Sequence, residues 1–572
     1  MIKKDLVFKS IKIVDFILAL FNVFMFLAMR CCWSGISKTL GYNNGKPIIL
    51  YNLPVIIFFV LVAVAIANIV LYFVMKKERN VWSFVFLGVN VLFLVVILVV
   101  IALGAIDYMY FIWPEFFKYV LLCVIVFFIV FMIFYYHKTI LKDSKIFKYS
   151  LLSVVLLGSS VYVFDASFNS ITYKPVVYAV EDEYQIVFGS NTNALGWVTV
   201  GDEPFYDIGA GSYRSYTKVH KVTIPMTLLD EAQHYTINVQ KLTYRGPFGG
   251  FRGRLISESY DFKPVDASDG VDYYAISDIH MDKKSAAQSA AYASNKEFLV
   301  LNGDIMSMVQ SERDAFYVNE IAHEITKGRI PVVYARGNHE IKGYKAEAFA
   351  DYVGSKDRNF YFTFKFSNVY GIVLDIGEDH DDDFWEYYET VDYDLYRKDQ
   401  IQFLKDELES KEYLKYEYRM VVCHIPVNYV NSRKNHEDVK KEMTTLLNQF
   451  DLDIALYGHQ HEILIFEPNT VEFFTKLKYS SQYGGGTFRG YLTDFNFPNM
   501  LVGKHGYTQT DDDALTGNSQ IGASINVNFD TNIQEVTFIN SKGEKVNTVN
   551  PFVENRDYGE SITIDMTTKS FS

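Results

Sequence analysis

Five short blocks in the second half of the chain carry side chains of the types that can bind metal ions. They are Asp278-Ile279-His280, Gly303-Asp304, Arg336-Gly337-Asn338-His339-Glu340, His424 and Gly458-His459-Gln460-His461. Together they hold five of the chain's 12 histidines. A lone Asp after a strand is commonly a helix N-cap, and a lone buried His commonly serves packing. The weight lies in the series. Carboxylate, imidazole and amide oxygen in one set suit Mn, Fe, Zn or Ni better than Ca or Mg. Asp278, His280, Asp304, Asn338, His424, His459 and His461 are too many ligands for one ion, whereas two ions sharing a bridging carboxylate use them all. Two ions about 3.5–4 Å apart can hold an attacking oxygen and a phosphoryl oxygen at once.

The elements that must position these blocks are legible around them. VDYYAIS precedes Asp278, KEFLVLN precedes Gly303, IPVVYA precedes Arg336, YRMVVC precedes His424 and DIALY precedes Gly458. Each is a short apolar, β-rich run. Helical patterns follow near 285–294 and 312–327, and YRKDQIQFLKDELE reads as an amphipathic helix. NFYFTFKF and VYGIVLDI form a further strand pair, and INVNF, IQEVTFI and EKVNTV read as late strands. Strands alternating with helices predict an α/β domain over 270–572. Sites of open α/β sheets lie beyond the carboxyl ends of the strands, where all five blocks fall.

The preceding segment, 170–268, holds short runs rich in Val, Tyr, Ile and Thr and predicts a β-sandwich with Trp197 in its core. Residues 1–165 hold five apolar stretches, near 13–29, 48–75, 81–104, 119–136 and 149–164. At about 20 residues per span, these predict a five-span transmembrane region in a lipid bilayer. The Lys and Arg of alternate short segments place the N-terminus in the cytoplasm and everything after Phe164 outside it. Charge divides the same way: residues 1–165 carry 15 Lys and Arg against 7 Asp and Glu, the remainder 39 against 60. An acidic remainder disfavours nucleic acid as a partner. Four cysteines, with only Cys423 beyond residue 165, leave no disulfide framework and no CxxC zinc site there.

The five blocks resemble the calcineurin-like metallophosphoesterase superfamily, whose motifs D-x-H, G-D, G-N-H, H and G-H-x-H occur here in that order between 278 and 461. The resemblance covers roughly 270–550 and implies a four-layer α/β/β/α sandwich. It implies that Asp278, His280 and His461 hold one metal, that Asp304 bridges, and that Asn338, His424 and His459 hold the other. His339 would lie beside the leaving group as general acid or transition-state stabiliser. A narrower likeness to the purple acid phosphatase branch rests on the preceding fibronectin-like sandwich, GNHE and HIPVNYVNS. That branch has a Tyr where this chain has Ser307, and it lacks the His that is present here as His280. The tyrosinate–iron colour is therefore not expected. RGNHE resembles the same block of the Ser/Thr protein phosphatases and implies phosphate contact by Arg336.

The expected function is a membrane-anchored, extracytoplasmic dinuclear phosphoesterase. Its cofactors would be two divalent or trivalent ions of Mn, Fe, Zn or Ni. Metal-bound hydroxide would attack a phosphorylated small molecule or lipid-linked substrate, with monoesters favoured. One alternative is a diesterase or pyrophosphatase acting on lipid-linked or cell-wall phosphates. Another is a sensor or transporter that binds phosphorylated ligands without turnover. The acidic, aromatic stretch 378–394 is either a border of the site or a solvated loop.

Overall fold

The computed structural model describes residues 169–572 apart from 210, 247–248, 379, 381, 385–386, 388–389, 431–436, 462, 470–471, 482–483, 493–494, 504–519, 548 and 551–555. The first half runs β1 (Ile171–Val180), β2 (Glu183–Val200), β3 (Glu203–Tyr206), β4 (Tyr216–Pro225), α1 (Met226–Ala232), β5 (His234–Gly246) and β6 (Gly249–Asp261). Then come β7 (Gly270–Ile276), α2 (Lys283–Ala291), β8 (Phe298–Asn302), α3 (Glu312–Thr326), β9 (Val332–Ala335), β10 (Phe362–Phe366), β11 (Val369–Leu374) and α4 (Tyr393–Ser410). Next are β12 (Tyr418–Cys423), β13 (Tyr429–Val430), α5 (Glu437–Leu447), β14 (Ile454–Tyr457) and β15 (Ile463–Phe466). The last labelled strands are β16 (Glu472–Ser481), β17 (Gly484–Leu492), β18 (Asn499–Val502), β19 (Ile521–Asn528) and β20 (Ile533–Asn540).

Two sheets carry the candidate chemistry. In one, β20, β19, β7, β8, β9 and β1 are successive neighbours, with β7, β8, β9 and β1 parallel. In the other the order is β10, β11, β12, β14, β18, β15, with β11, β12, β14 and β18 parallel. Their facing sides share one apolar core. Tyr273, Phe298, Val300 and Val333 come from the first sheet, and Phe364, Val373, Met420, Val422 and Leu456 from the second. On the far side of the second sheet, Ile372, Val421 and Cys423 pack with Ile401 and Leu404 of α4 and Met443 and Leu447 of α5. On the far side of the first, Ser289 of α2 bonds the Ile539 carbonyl of β20, and α3 contacts β1. Strands covered on both faces explain the unbroken apolar runs seen in the sequence. The helices are started by local chemistry: Asp282 accepts from Ser285 N ahead of α2, and Ser311 with Asp314 closes a capping box on α3.

The segment before β7 folds differently from the expectation. Its strands do not make a separate fibronectin-like sandwich, because β1 pairs in parallel with β9 and so continues the first sheet. Strand β2 is shared: Glu183–Gly189 and, past a register shift, Ala194–Leu195 pair with β4, while Trp197–Thr199 pairs with β5 and β3. Cross-links fix the junction. Tyr178 donates to Asn319 Oδ1 at 2.9 Å, and Gln185 exchanges two hydrogen bonds with the backbone of Ser355. Residues 169–572 accordingly form one compact unit.

The fold class needs a second correction. Among the described residues no helix is long and apolar enough to cross a membrane. The five spans expected over 1–165 lie outside the described residues, so the described fold class is the α/β unit and the multi-pass helical region is left unsupported.

Candidate metal centre

Each of the five blocks follows directly on a parallel strand. Asp278 follows β7, Asp304 follows β8, Asn338 and His339 follow β9, His424 follows β12, and His459 follows β14. The two sheets thus bring their carboxyl ends together. The backbone there is unusual: Asp278 (φ 53°), His280 (φ 44°), Asp304 (φ 51°), His459 (φ 71°) and His461 (φ 55°) all adopt the left-handed region. Residues with a Cβ avoid that region because it crowds the carbonyl. Such strain collects at sites where surrounding structure fixes a side chain for chemistry.

Two groups of donor atoms result, sharing Asp304. One is Asp278, His280, Asp304 and His461; the other is Asp304, His424 and His459. In the first, His280 Nε2 and His461 Nε2 are 3.2 Å apart, and His461 Nε2 is 3.5 Å from Asp278 Oδ1. In the second, His424 Nε2 is 3.1 Å from Asp304 Oδ2, and His459 Nδ1 is 3.0 Å from Asn338 Oδ1. The His424 tautomer is set from behind, since Nδ1 lies 2.6 Å from the Asn302 carbonyl oxygen and donates to it. Nε2 is therefore the nitrogen that would present a lone pair to a metal once its own proton is displaced. Two imidazole nitrogens facing each other at 3.2 Å, beside carboxylates, are the geometry of donors converging on a cation.

Residues 273–462 match the calcineurin-like phosphoesterase family. The chain thus carries a calcineurin-like phosphoesterase domain over these residues. It is a metal-dependent phosphoester hydrolase. No curated protein matches the chain. Similar solved structures include a purple acid phosphatase from yellow lupin (Lupinus luteus) seeds, 13% identical, covering 68% of this chain and 74% of that one with a TM-score of 0.41. PhoD is another, 10% identical, covering 70% and 91% with a TM-score of 0.38. A dimetal phosphatase from Danio rerio is 13% identical over 49% and 98%, with a TM-score of 0.31.

In this phosphoesterase, charge near the centre follows from burial and from the two carboxylates. Burial pushes the His280 imidazole down to about 4, partly offset by Asp304 and Asp278. Burial lowers His461 as well, against the pull of Asp278. Both are thereby neutral, the ligating form. Burial would also lower His424, but the Asp304 carboxylate outweighs it and raises His424 to about 10. Conversely, burial would raise Asp304, and the positive charge of His424 holds it well below the usual carboxylate range. A positive charge beside Asp304 thus stabilises its ionised form, and a bound metal would supply that charge in place of the His424 proton.

The remaining residues of the blocks have distinct places. His339 donates its backbone N–H to Asp304 Oδ1 at 2.9 Å. Its Nδ1 is 2.8 Å from the Ser307 carbonyl oxygen, and its Nε2 is 3.8 Å from Asp304 Oδ2. Arg336 is engaged elsewhere: Nε donates to the buried Asp375 Oδ2 at 2.8 Å, a second nitrogen lies 2.6 Å from the same oxygen, and the guanidinium stacks over Phe360 at 4.3 Å. Cys423 is a buried free thiol, pushed up to about 12 by burial and by Asp375, and behaves as core.

Two supports were not apparent from the sequence. Glu340 is wholly buried and accepts the backbone N–H groups of Asp304, Ile305, Met306 and Gly337 at 2.7–3.2 Å. One carboxylate therefore ties the loop bearing Asp304 to the loop bearing Asn338. Burial and the nearby Asp304 push it up to about 7. Gly303 (φ 75°) is the second, because a Cβ there would stand 2.5 Å from the His424 ring and 2.7 Å from Gly337 Cα. The letters Gly and Glu were visible beside the ligands. Their partners, contributed by loops distant in sequence, were not.

Proposed function

We propose that this phosphoesterase hydrolyses phosphate monoesters at a two-cation centre. Asp278, His280 and His461 would hold one ion, Asn338, His424 and His459 the other, with Asp304 between them. The observation that carries this reading is the convergence of two donor groups on one shared carboxylate. Mn, Fe, Zn or Ni fits the donor set. Two such ions, when bound, supply an ionised water at neutral pH and neutralise charge on phosphoryl oxygens.

The chain's own residues supply the rest. With Nδ1–H of His339 given to the Ser307 carbonyl, its Nε2 is the nitrogen left for a substrate oxygen. That side chain is about one-third exposed, so a departing alcohol can reach it, and in the doubly protonated imidazole the Nε2 proton would pass to that oxygen, leaving the Nδ1–H on the Ser307 carbonyl. The Asp375 ion pair holds Arg336 in place, and any phosphate contact would use its remaining N–H groups.

A second reading, an ester with an apolar alcohol such as a lipid-linked phosphate, is favoured by one feature. Met281, Met308 and Tyr344 are exposed, and each lies in a loop that also carries His280, Ser307 or His339. Extracytoplasmic action is part of the proposal and rests on the charge pattern of the first 165 residues. Protease added outside intact cells tests it by cleaving the catalytic domain.

The deciding experiment strips metal from the full-length protein and restores Mn, Zn, Fe or Ni singly. p-Nitrophenyl phosphate and bis-p-nitrophenyl phosphate are then compared. Metal-dependent turnover of the monoester above the diester is expected. Faster diester turnover overturns the monoester assignment, and turnover that is independent of metal overturns the centre.

A further inference from the structure

Just beyond β11 the chain runs Asp375-Ile376-Gly377-Glu378, and the Glu378 side chain is almost completely buried. Three groups meet its carboxylate. Asn338 Nδ2 donates to both oxygens at 3.4 and 3.3 Å, Tyr387 Oη donates at 2.7 Å, and Lys342 Nζ lies 2.9 Å away. An ionised carboxylate only accepts hydrogen bonds. Asn338 must therefore turn its NH2 toward Glu378, which leaves Oδ1 facing His459 Nδ1 at 3.0 Å. Reversed, the same amide would present two N–H donors to a cation and could not bind it. An Asn amide has no orientation of its own, so its surroundings decide.

The carboxylate is itself anchored. Arg397, fully buried in α4, donates Nε to the Ile376 carbonyl at 2.9 Å and Nη2 to the carbonyls of Glu378 and His380. Lys342, four residues after Asn338, supplies the balancing charge. The circuit runs from α4 through Arg397 to the Glu378 backbone, and from its carboxylate to Asn338.

We propose that Glu378 is a positioning residue for the second cation: it selects the amide orientation of Asn338 and so couples the segment after β11 to the metal centre. The inference rests on the two-cation reading above. Its test is titration of metal-free full-length protein with Mn(II), read as ions bound per chain and their affinities. Glu378→Ala should weaken one of two sites by about 10–100-fold, the usual range for an outer partner of a ligand, and leave the other unchanged. Glu378→Gln, whose Oε1 can still accept from Asn338, should fall between Ala and wild type. Excess Mn(II) should restore much of the turnover lost in either variant, which a generally damaged fold would not allow.

Wild-type affinity at both sites in Glu378→Ala overturns the inference, as does equal weakening of both sites. If the Ala variant does not fold, Glu378→Leu, which fills the site without an acceptor for Asn338, decides: a second site as tight as wild type overturns the proposal. Wild-type protein that takes up only one Mn(II) ion overturns the two-cation reading itself, and this inference with it.

Discussion

Asp304 is the side chain on which most of the site converges. It stands 3.1 Å from His424 Nε2, accepts the His339 backbone N–H, and belongs to both donor groups. Asp304→Asn keeps its shape and removes its charge. Hydrolysis should fall by at least about 100-fold, with the near-UV circular dichroism of the wild type retained. Near wild-type turnover in the folded variant would refute the bridging role. His339→Ala should act differently, lowering kcat by about 10²–10⁴-fold while metal uptake stays at the wild-type level. Loss of bound metal in that variant would make His339 a structural partner of Asp304 instead. The candidate ligands were readable because each is a chemically distinctive residue directly after an apolar run. Asp375 was not, since an acid between Leu374 and Ile376 at the end of a strand carries no mark of its burial against Arg336. Glu378 was likewise hidden among its acidic neighbours until Asn338 was seen beside it.

At the scale of elements, strands and their following loops were legible from alternation alone, and all five blocks do follow strands. What alternation could not show is how closely the loops pass one another. Gly303 illustrates this. Its φ of 75° and the His424 ring 2.5 Å from a prospective Cβ are both tertiary facts. Gly303→Ala should destabilise the protein by about 1–3 kcal/mol, seen as a lower urea midpoint with unchanged slope. It should also weaken metal binding through displacement of His424. A variant with wild-type midpoint and affinity would mean that the loop moves freely. The continuity of β2 was equally invisible: its 18 residues read as separate short runs, and only pairing reveals one strand that keeps β4 across the register shift at Gly189/Ala194 and passes from β1 to β5.

For the unit as a whole, strands expected to form a fibronectin-like sandwich before the catalytic domain join its first sheet through β1, and stability should reflect that continuity. The β1–β9 pairing and the Tyr178–Asn319 bond predict equal hydrogen-exchange protection in β1 and β9 of the full chain. Markedly faster exchange in β1 would restore the two-domain picture. Lys221 of β4 gives the junction a pH signature. Its ammonium reaches across to the carbonyls of Ala350 and Val353 and to Ser355 Oγ. Burial lowers it to about 8, against the partly compensating charge of Asp351. The sign follows from proton binding. Below pH 8 the lysine is charged in both the folded and unfolded chain and its contribution is constant. Between about 8 and the unfolded value near 10.5, the unfolded chain binds the proton more tightly, so stability rises with pH. Relative to Lys221→Met, the wild type should therefore gain of order 1–3 kcal/mol across that window in paired urea titrations. A flat difference would mean that water reaches the ammonium and the junction is looser than its hydrogen bonds imply. A falling one would mean that the folded state holds the proton, with Asp351 prevailing over burial.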